Sequence, residues 1–323
     1  MKRLLSVALA ALALGLSPNV AGAQGYPNRT ITVVVPFPAG GSVDGVARIL
    51  VQKLNQVPGW NAIVENRAGG AGGTVGANTV AKAAPDGYTL MLTASVNAIN
   101  PLLFKNLPYD FVRDFTPITL LAVGPLLVST TPNMPANNLK DFFDMVRKDP
   151  QKFTFGHTSP GSASHLAIEL LKREAGVDTL VVAYKGTAPA LNDLMGGTIQ
   201  LLADPMLSSL PLALGGKTKA LAVTSLKRMP SAPDVPTVAE SGMKDFDFVS
   251  WYGVWGPRDL PADIVTRLEA EMTKIVKQPD VQQRLLTTGF EPVGTGAKEF
   301  SKFIVDEMAK YEKIIKAANI KLD

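Results

Sequence analysis

The segment Val33-Val-Val-Pro-Phe-Pro-Ala-Gly-Gly-Ser-Val-Asp44 constrains this chain most. A β-branched run ends in two prolines and two glycines, and an apolar-periodic helix begins directly after them. Val33 to Val35 predict a buried strand that stops at Pro36, which has no N–H to give to a ladder. Gly40 and Gly41 let a guest approach the backbone closely, where a Cβ would obstruct it. The first N–H groups of the following helix have no partner within it and suit an anion. Nothing in the segment is a nucleophile. It reads as a seat for a carboxylate, and the competing reading is an ordinary strand–turn–helix junction.

The first residues predict export. Lys2 and Arg3 form a basic region, Leu4 to Leu16 an apolar core, and Ala21-Gly-Ala23 a small-residue cleavage site. This is the pattern of a secretory signal spanning 1–23, cut after about Ala23, which predicts an exported protein. The apolar core is shorter than the ~20 residues of a spanning helix. The chain contains no Cys, so neither a lipid anchor on a cysteine nor a disulfide is available. About 300 residues remain, enough to bury a core without covalent staples.

Once Lys2 and Arg3 are removed, 30 basic residues face 28 acidic ones. That balance gives no footprint for nucleic acid. With two His and no Cys, a transition-metal site is not expected, and no cofactor motif is present. The Gly69-Gly-Ala-Gly-Gly73 cluster lacks the Lys-[ST] of a P-loop and the spacing of a dinucleotide fingerprint. It reads as close packing or a cleft rim, with Thr74 the one side chain near enough to touch a guest.

Strand-like runs alternate with helical patterns along the chain. The helices are expected at Ser42 to Leu54, Gly72 to Ala84, Leu139 to Lys148, Ser162 to Gly176, Ala188 to Met195 and Ala262 to Val276. Ten runs from Ile31 to Trp255 read as strands, among them Ile118 to Val123 and Leu126 to Ser129 as separate elements. This alternation argues for an α/β fold with mostly parallel sheets. Phe300 to Ala318 reads as a final helix whose Ile304, Met308, Tyr311, Ile314 and Ile315 share one face. Gly124-Pro125 and the stretch from Met243 to Phe248 are candidate crossings between two domains. A single continuous domain is the alternative.

Several segments together resemble one known family. They are Val34-Val-Pro-Phe-Pro-Ala-Gly-Gly41, Val64-Glu-Asn-Arg-Ala-Gly-Gly70, Pro85-Asp-Gly-Tyr-Thr-Leu90 and Leu107-Pro-Tyr-Asp110 with Asp114-Phe-Thr-Pro117. Ser159 to Leu166, Tyr184-Lys-Gly186 and Pro233-Asp-Val-Pro-Thr-Val-Ala-Glu240 complete the set. In order and spacing they are similar to the substrate-binding proteins of tripartite tricarboxylate transporters, the Bug or TctC-like family, over essentially the whole mature chain. The resemblance implies a two-lobed, periplasmic-binding-protein-like (type II) α/β fold with a ligand cleft between the lobes. Residues 24–123 plus 247–323 would form one lobe and 124–246 the other.

The resemblance also implies a guest, a small carboxylate held mainly by main-chain donors. The first clamp maps onto Phe37, Ala39, Gly40, Gly41, Ser42 and Asp44, with Asp44 orienting the loop. Many relatives have Pro-Thr where this chain has Ser42-Val43. A second clamp repeats the same logic at His157-Thr-Ser-Pro-Gly-Ser-Ala-Ser-His165, where Ser159, Gly161 and Ser162 precede a helix. His157 either faces the cleft or is surface, and His165 packs or hydrogen-bonds beneath the loop. Tyr184 and Asp204 are further contacts, Asp204 because it ends a strand where such folds place ligands. Lys185 either meets the guest or leads its charge into solvent.

No catalytic set emerges, since neither Ser159 nor Ser162 sits in a G-x-S-x-G elbow. The expected function is a periplasmic receptor that captures a dicarboxylate, acidic amino acid or aromatic acid by lobe closure, for membrane transporter subunits. A sensory or protein-interaction receptor is the alternative, and a periplasmic serine hydrolase a remote one.

Overall fold

The computed structural model describes residues 25–318 and residue 320. The leader expected over 1–23 lies outside the described residues.

Strand β1 (Ile31–Val35) is buried at every position but Thr32, as an apolar run inside a parallel sheet should be. It pairs in parallel with β2 (Ala62–Asn66) and β3 (Thr89–Ala94). Helices α1 (Ser42–Leu54) and α2 (Thr74–Ala81) make the crossovers, and α3 (Val96–Leu103) follows β3. β3 runs antiparallel to β9 (Val249–Pro257), and β9 antiparallel to the long strand β4 (Phe115–Thr130). The edge strand β10 (Glu291–Thr295) also pairs with β4. Helices α8 (Ala262–Val276) and α9 (Pro279–Thr287) bury Leu268, Met272, Val281 and Leu285 in the core of this sheet.

A second sheet grows from the other end of β4. There β4 pairs with β7 (Leu201–Pro205) and β8 (Lys219–Val223), both antiparallel. β7 continues in parallel to β5 (Thr154–His157), and β5 to β6 (Leu180–Ala183). Helices α4 (Leu139–Lys148), α5 (Ala163–Ala175), α6 (Thr187–Gly196) and α7 (Met206–Leu214) accompany it. The result is a two-lobed α/β architecture, each lobe with its own sheet.

The link between the sheets lies inside one strand. Phe115 to Pro125 pair with β9, whereas Leu126 onward pairs with β7 and β8. At the changeover a Cβ on Gly124 would stand 2.7 Å from both the Gly289 carbonyl and the Phe290 ring. Contacts that short are not tolerated, so the backbones meet there only through glycine.

Three features differ from the sequence-based expectation. The sheets are not mostly parallel, because β4 and β9 run antiparallel to their neighbours in joining two parallel units. The runs Ile118–Val123 and Leu126–Ser129 are one strand, continuous through Pro125. Helices α3 and α7 lack a clean helical pattern in the sequence because proline lies inside them, at Pro101 and Pro211, and α9, which opens on Pro279, is a further helix beyond those expected.

The final helix, α10 (Ala297–Ala318), packs against β4 and against both α3 and α5. It buries Phe300, Ile304, Tyr311 and Ile315. Such side chains contribute roughly 1.5–3 kcal/mol each by leaving water. Trp251 Nε1 of β9 donates to Tyr311 Oη at 2.9 Å and to Glu307 Oε2 at 3.1 Å, which fixes the helix register.

Candidate functional site

Between the lobes lies a small inner cavity onto which four helix starts converge. Gly41, Ser42 and Val43 come from α1, Ser95 and Val96 from α3, Ser162 to Ser164 from α5, and Gly186 to Ala188 from α6. A helix leaves its first N–H groups without internal partners and carries partial positive charge at that end. Phe37, Pro38, Ala94, Thr158, Ser159, Pro205, Ser250 and Tyr252 close the remaining wall. Among the described residues no Lys, Arg, His, Asp or Glu lines this cavity. Its donors are neutral: backbone amides and the hydroxyls of Ser, Thr and Tyr.

The cavity has about 50 Å³ of room for the centres of water-sized groups. One water needs ~10–15 Å³ on that measure, so the space suits a carboxylate and a few atoms beside it. Ser95 and Tyr252 line it, and their buried hydroxyls have no partner within hydrogen-bond geometry among the described residues. Unpaired buried hydroxyls are costly, and a guest or water in the cavity would satisfy them.

The first loop is held from beneath. Asp44 accepts from the Gly40 N–H at 3.0 Å, Arg48 Nε at 2.8 Å and Asn66 Nδ2 at 3.0 Å. Asn66 also donates to the Phe37 carbonyl at 3.1 Å, so one side chain ties β2 to the loop. Burial alone would raise the Asp44 pKa, but the donors from Arg48, Gly40 and Asn66 outweigh it and hold the carboxyl below its usual range.

The second loop is organised by its own hydroxyls. Ser162 caps α5 by accepting the His165 N–H at 3.2 Å, and its hydroxyl donates to the Ser159 carbonyl at 2.7 Å. The Gly161 N–H donates to His165 Nδ1 at 3.3 Å. Gly161 has φ +72°, and a Cβ there would come 2.6 Å from Asn100 Oδ1 of α3. Asn100 in turn donates to the Gly72 carbonyl at 3.1 Å, so it fills the gap between two glycine loops.

Of the residues singled out in the sequence, Phe37, Gly41, Ser42, Ser159 and Ser162 line the inner cavity. Ala39 and Gly40 are exposed on the outer side of their loop. Asp44 and Gly161 shape the loops without lining the space. Thr74 opens α2 and is not among the lining residues. His157 is buried and stacked on His165, ring centroids 4.2 Å apart, so it is neither surface nor cleft wall. Burial first, and His165 second, depress the His157 pKa to about 3, while burial and Lys172 bring His165 to about 4. Both rings are neutral at physiological pH.

Tyr184 gives its hydroxyl to Asp193 Oδ2 at 2.6 Å, which leaves it no proton for a guest. Asp204 is buried and accepts from Thr187 Oγ1 at 2.9 Å. Burial pushes its pKa up to about 8, opposed by the hydroxyls of Thr187 and Ser208. Ser95, Thr187, Ser250 and Tyr252 escaped the sequence reading. A Gly-Thr step at Gly186-Thr187 before a helical pattern was the only available signal, and it matches the first loop's own Gly-Ser.

A larger outer cavity, of about 660 Å³ on the same measure, shares Phe37, Pro38 and Ser159 with the inner one. It is bounded by the Gly69 to Gly73 loop of one lobe and by Pro160 and Ala183 to Lys185 of the other.

The hydroxyl of Ser162 is spent on a carbonyl, and that of Ser159 points to the Pro160 carbonyl at 3.4 Å, so neither meets an imidazole nitrogen. Among the described residues no cluster of His, Cys, Asp and Glu is placed to hold a metal, and no helix is long and apolar enough to cross a membrane.

The model of the tripartite tricarboxylate transporter family receptor matches residues 46–320. The periplasmic binding protein BugD has a similar structure, with TM-score 0.88, 36% identity and coverage of 92% of this chain and 99% of its own. Rpa4515 of R. palustris, solved with adipate, superposes with TM-score 0.89 at 35% identity, covering 92% of this chain and 99% of that one. MatC from Rhodopseudomonas palustris, solved with bound malate, gives 0.84 at 34% identity, covering 90% and 100%. The chain belongs to the tripartite tricarboxylate transporter receptor family, and is a periplasmic solute-binding receptor rather than an enzyme.

Proposed function

We propose that this receptor captures a small carboxylate by closing its lobes around it, and presents the closed form to a membrane transporter. The observation that carries this reading is the convergence of four helix N-termini on a cavity with no charged side chain among the described residues. Such a cavity attracts an anion through amides and hydroxyls alone. Each hydrogen bond to a charged group nets roughly 1.5–3 kcal/mol. Four or five reach about 8 kcal/mol, hence micromolar affinity, once part of the gain is offset by ordering. Adipate and malate in Rpa4515 and MatC are both carboxylates, which supports the same class here.

The ligand-binding set in this reading comprises Phe37, Gly41, Ser42, Ser159 and Ser162, with Ser95, Thr187 and Tyr252 added from the cavity wall. In this reading the lobes are 24–123 with 247–323 and 124–246, after removal of the leader behind Ala23. The moving joints are then the β4 changeover at Gly124 and the return of the chain just before β9. Dicarboxylates, acidic amino acids and aromatic acids are the classes to screen.

Small-angle scattering tests closure. An acid that raises the melting temperature should also contract the radius of gyration, whereas an unchanged radius at saturation contradicts capture by closure.

A further inference from the structure

Helix α1 carries a glycine that its own backbone does not need. Gly45 lies inside the helix and gives its N–H to the Gly41 carbonyl at 2.9 Å. Its φ is not positive, so any residue could adopt this conformation. Glycine is also the least favourable residue, proline apart, for a helix interior. What the position lacks is room. A Cβ on Gly45 would stand 2.7 Å from Cδ2 of Leu207, 3.4 Å from its Cδ1 and 3.7 Å from its Cγ. One turn earlier, a Cβ on Gly41 would meet Thr187 at an ordinary 3.6 Å.

Leu207 sits in the first turn of α7, a helix that accompanies the second sheet. Its neighbours Met206 and Leu210 pack with Leu127 and Val223 of that sheet. Leu207 instead packs against the core of the first sheet, beside Phe37 and Val43. The next residue, Ser208, meets Ser42 about one turn before Gly45, so α7 touches α1 along one short seam. Neither Gly45 nor Leu207 lines the inner or the outer cavity.

We infer that Gly45 is the socket for Leu207, and that seating this side chain on bare helix backbone is what lets the lobes shut. The pair sets how readily the receptor closes without touching its guest. This inference rests on the closure reading above and names the residues on which closure turns. With the lobes apart, Gly45 faces water and only weakens its own helix. With the lobes together, a side chain at 45 would push α7 away from α1.

The test compares wild type with Gly45→Ala, Gly45→Gln, Leu207→Ala and the Gly45→Ala/Leu207→Ala pair, by calorimetric titration and by melting without ligand. The probe is whichever of succinate, glutarate, aspartate, glutamate and benzoate most raises the wild-type melting temperature. Gly45→Ala weakens its binding about five-fold, because Leu207 can yield in part, and the longer side chain of Gly45→Gln weakens it about fifty-fold. Unliganded Gly45→Ala melts about 1–3 °C higher, since alanine suits a helix better and nothing opposes it while the lobes are apart. Cutting Leu207 back to Cβ removes all three atoms that the new methyl group would meet. In the Leu207→Ala background the Gly45→Ala step therefore costs less than two-fold. Affinity of Gly45→Gln within two-fold of wild type, a lower melting temperature for unliganded Gly45→Ala, or the same loss in both backgrounds overturns the inference while leaving a receptor that closes. If wild type binds its acid without contracting in solution scattering, closure fails first and this inference with it. If it binds none of the five acids, the carboxylate reading fails before either.

Discussion

The hydroxyl of Ser42, in the first turn of α1, meets the hydroxyl of Ser208, in the first turn of α7, across the cleft. These two turns accompany different sheets, so capture by closure predicts that the bond forms only when the lobes come together. Ser208 lies outside the cavity lining, so its removal does not take away a guest contact; its hydroxyl also faces Asp204, so unfolding must be read beside affinity. A neutral hydrogen bond nets about 1 kcal/mol, so Ser208→Ala should weaken binding of the best acid roughly five-fold. Urea unfolding of the unliganded protein should move by less than about 0.5 kcal/mol. Lower stability at unchanged affinity would show that the bond serves the resting fold instead.

Asp204 makes stability depend on pH in a defined direction. Its folded pKa, about 8, lies above the ordinary value of 3.8, chiefly because of burial. The folded state therefore binds more protons than the unfolded chain between those values, and stability falls as pH rises through that window. Asp204→Asn mimics the neutral acid and still accepts from Thr187. Melting curves from pH 5 to 9 should show the variant losing less stability than wild type toward alkaline pH. Parallel curves would mean that Asp204 is ionised throughout.

The stacked histidines act at the other end of the scale. Both folded pKa values lie below the ordinary 6.5, so the unfolded chain binds more protons and stability drops as pH falls below about 6.5. His157→Phe keeps a ring against His165 and removes one such group, whose Nδ1 has no partner in any case. The acid-unfolding midpoint should move to lower pH, with acid affinity at pH 7 within two-fold of wild type. A large affinity loss would restore His157 to the ligand's surroundings.

Gly161 is a sharper structural test. Its positive φ and the 2.6 Å approach to Asn100 leave no place for a methyl group, and Asn100 is already bonded to the Gly72 carbonyl. Gly161→Ala should cost about 1–3 kcal/mol in urea unfolding. An unchanged midpoint would mean that α3 moves freely against the second loop.

Much of this was legible in the chain because it is local. The valine run, the prolines and the paired glycines specify β1, its end and the start of α1 within a dozen residues, and Ser159 to Ser162 do the same for α5. Ser95, Thr187 and Tyr252 were not legible, because they reach the cavity from elements far apart in sequence. His157 misleads for the converse reason: a lone imidazole beside a binding loop looks functional, yet its burial against His165 is a tertiary fact. Asn100 has no signature at all, since Pro101 hides the helix that carries it.

Carboxylate recognition by helix N-termini is tested most directly by titrating, in low salt, the acid that most raises the melting temperature beside its uncharged amide. The acid should bind with micromolar affinity and the amide at least about 100-fold more weakly, because several charge-assisted bonds are lost together. Equal affinity for the amide, or binding of a sugar with no response to any acid, contradicts a seat built for a carboxylate.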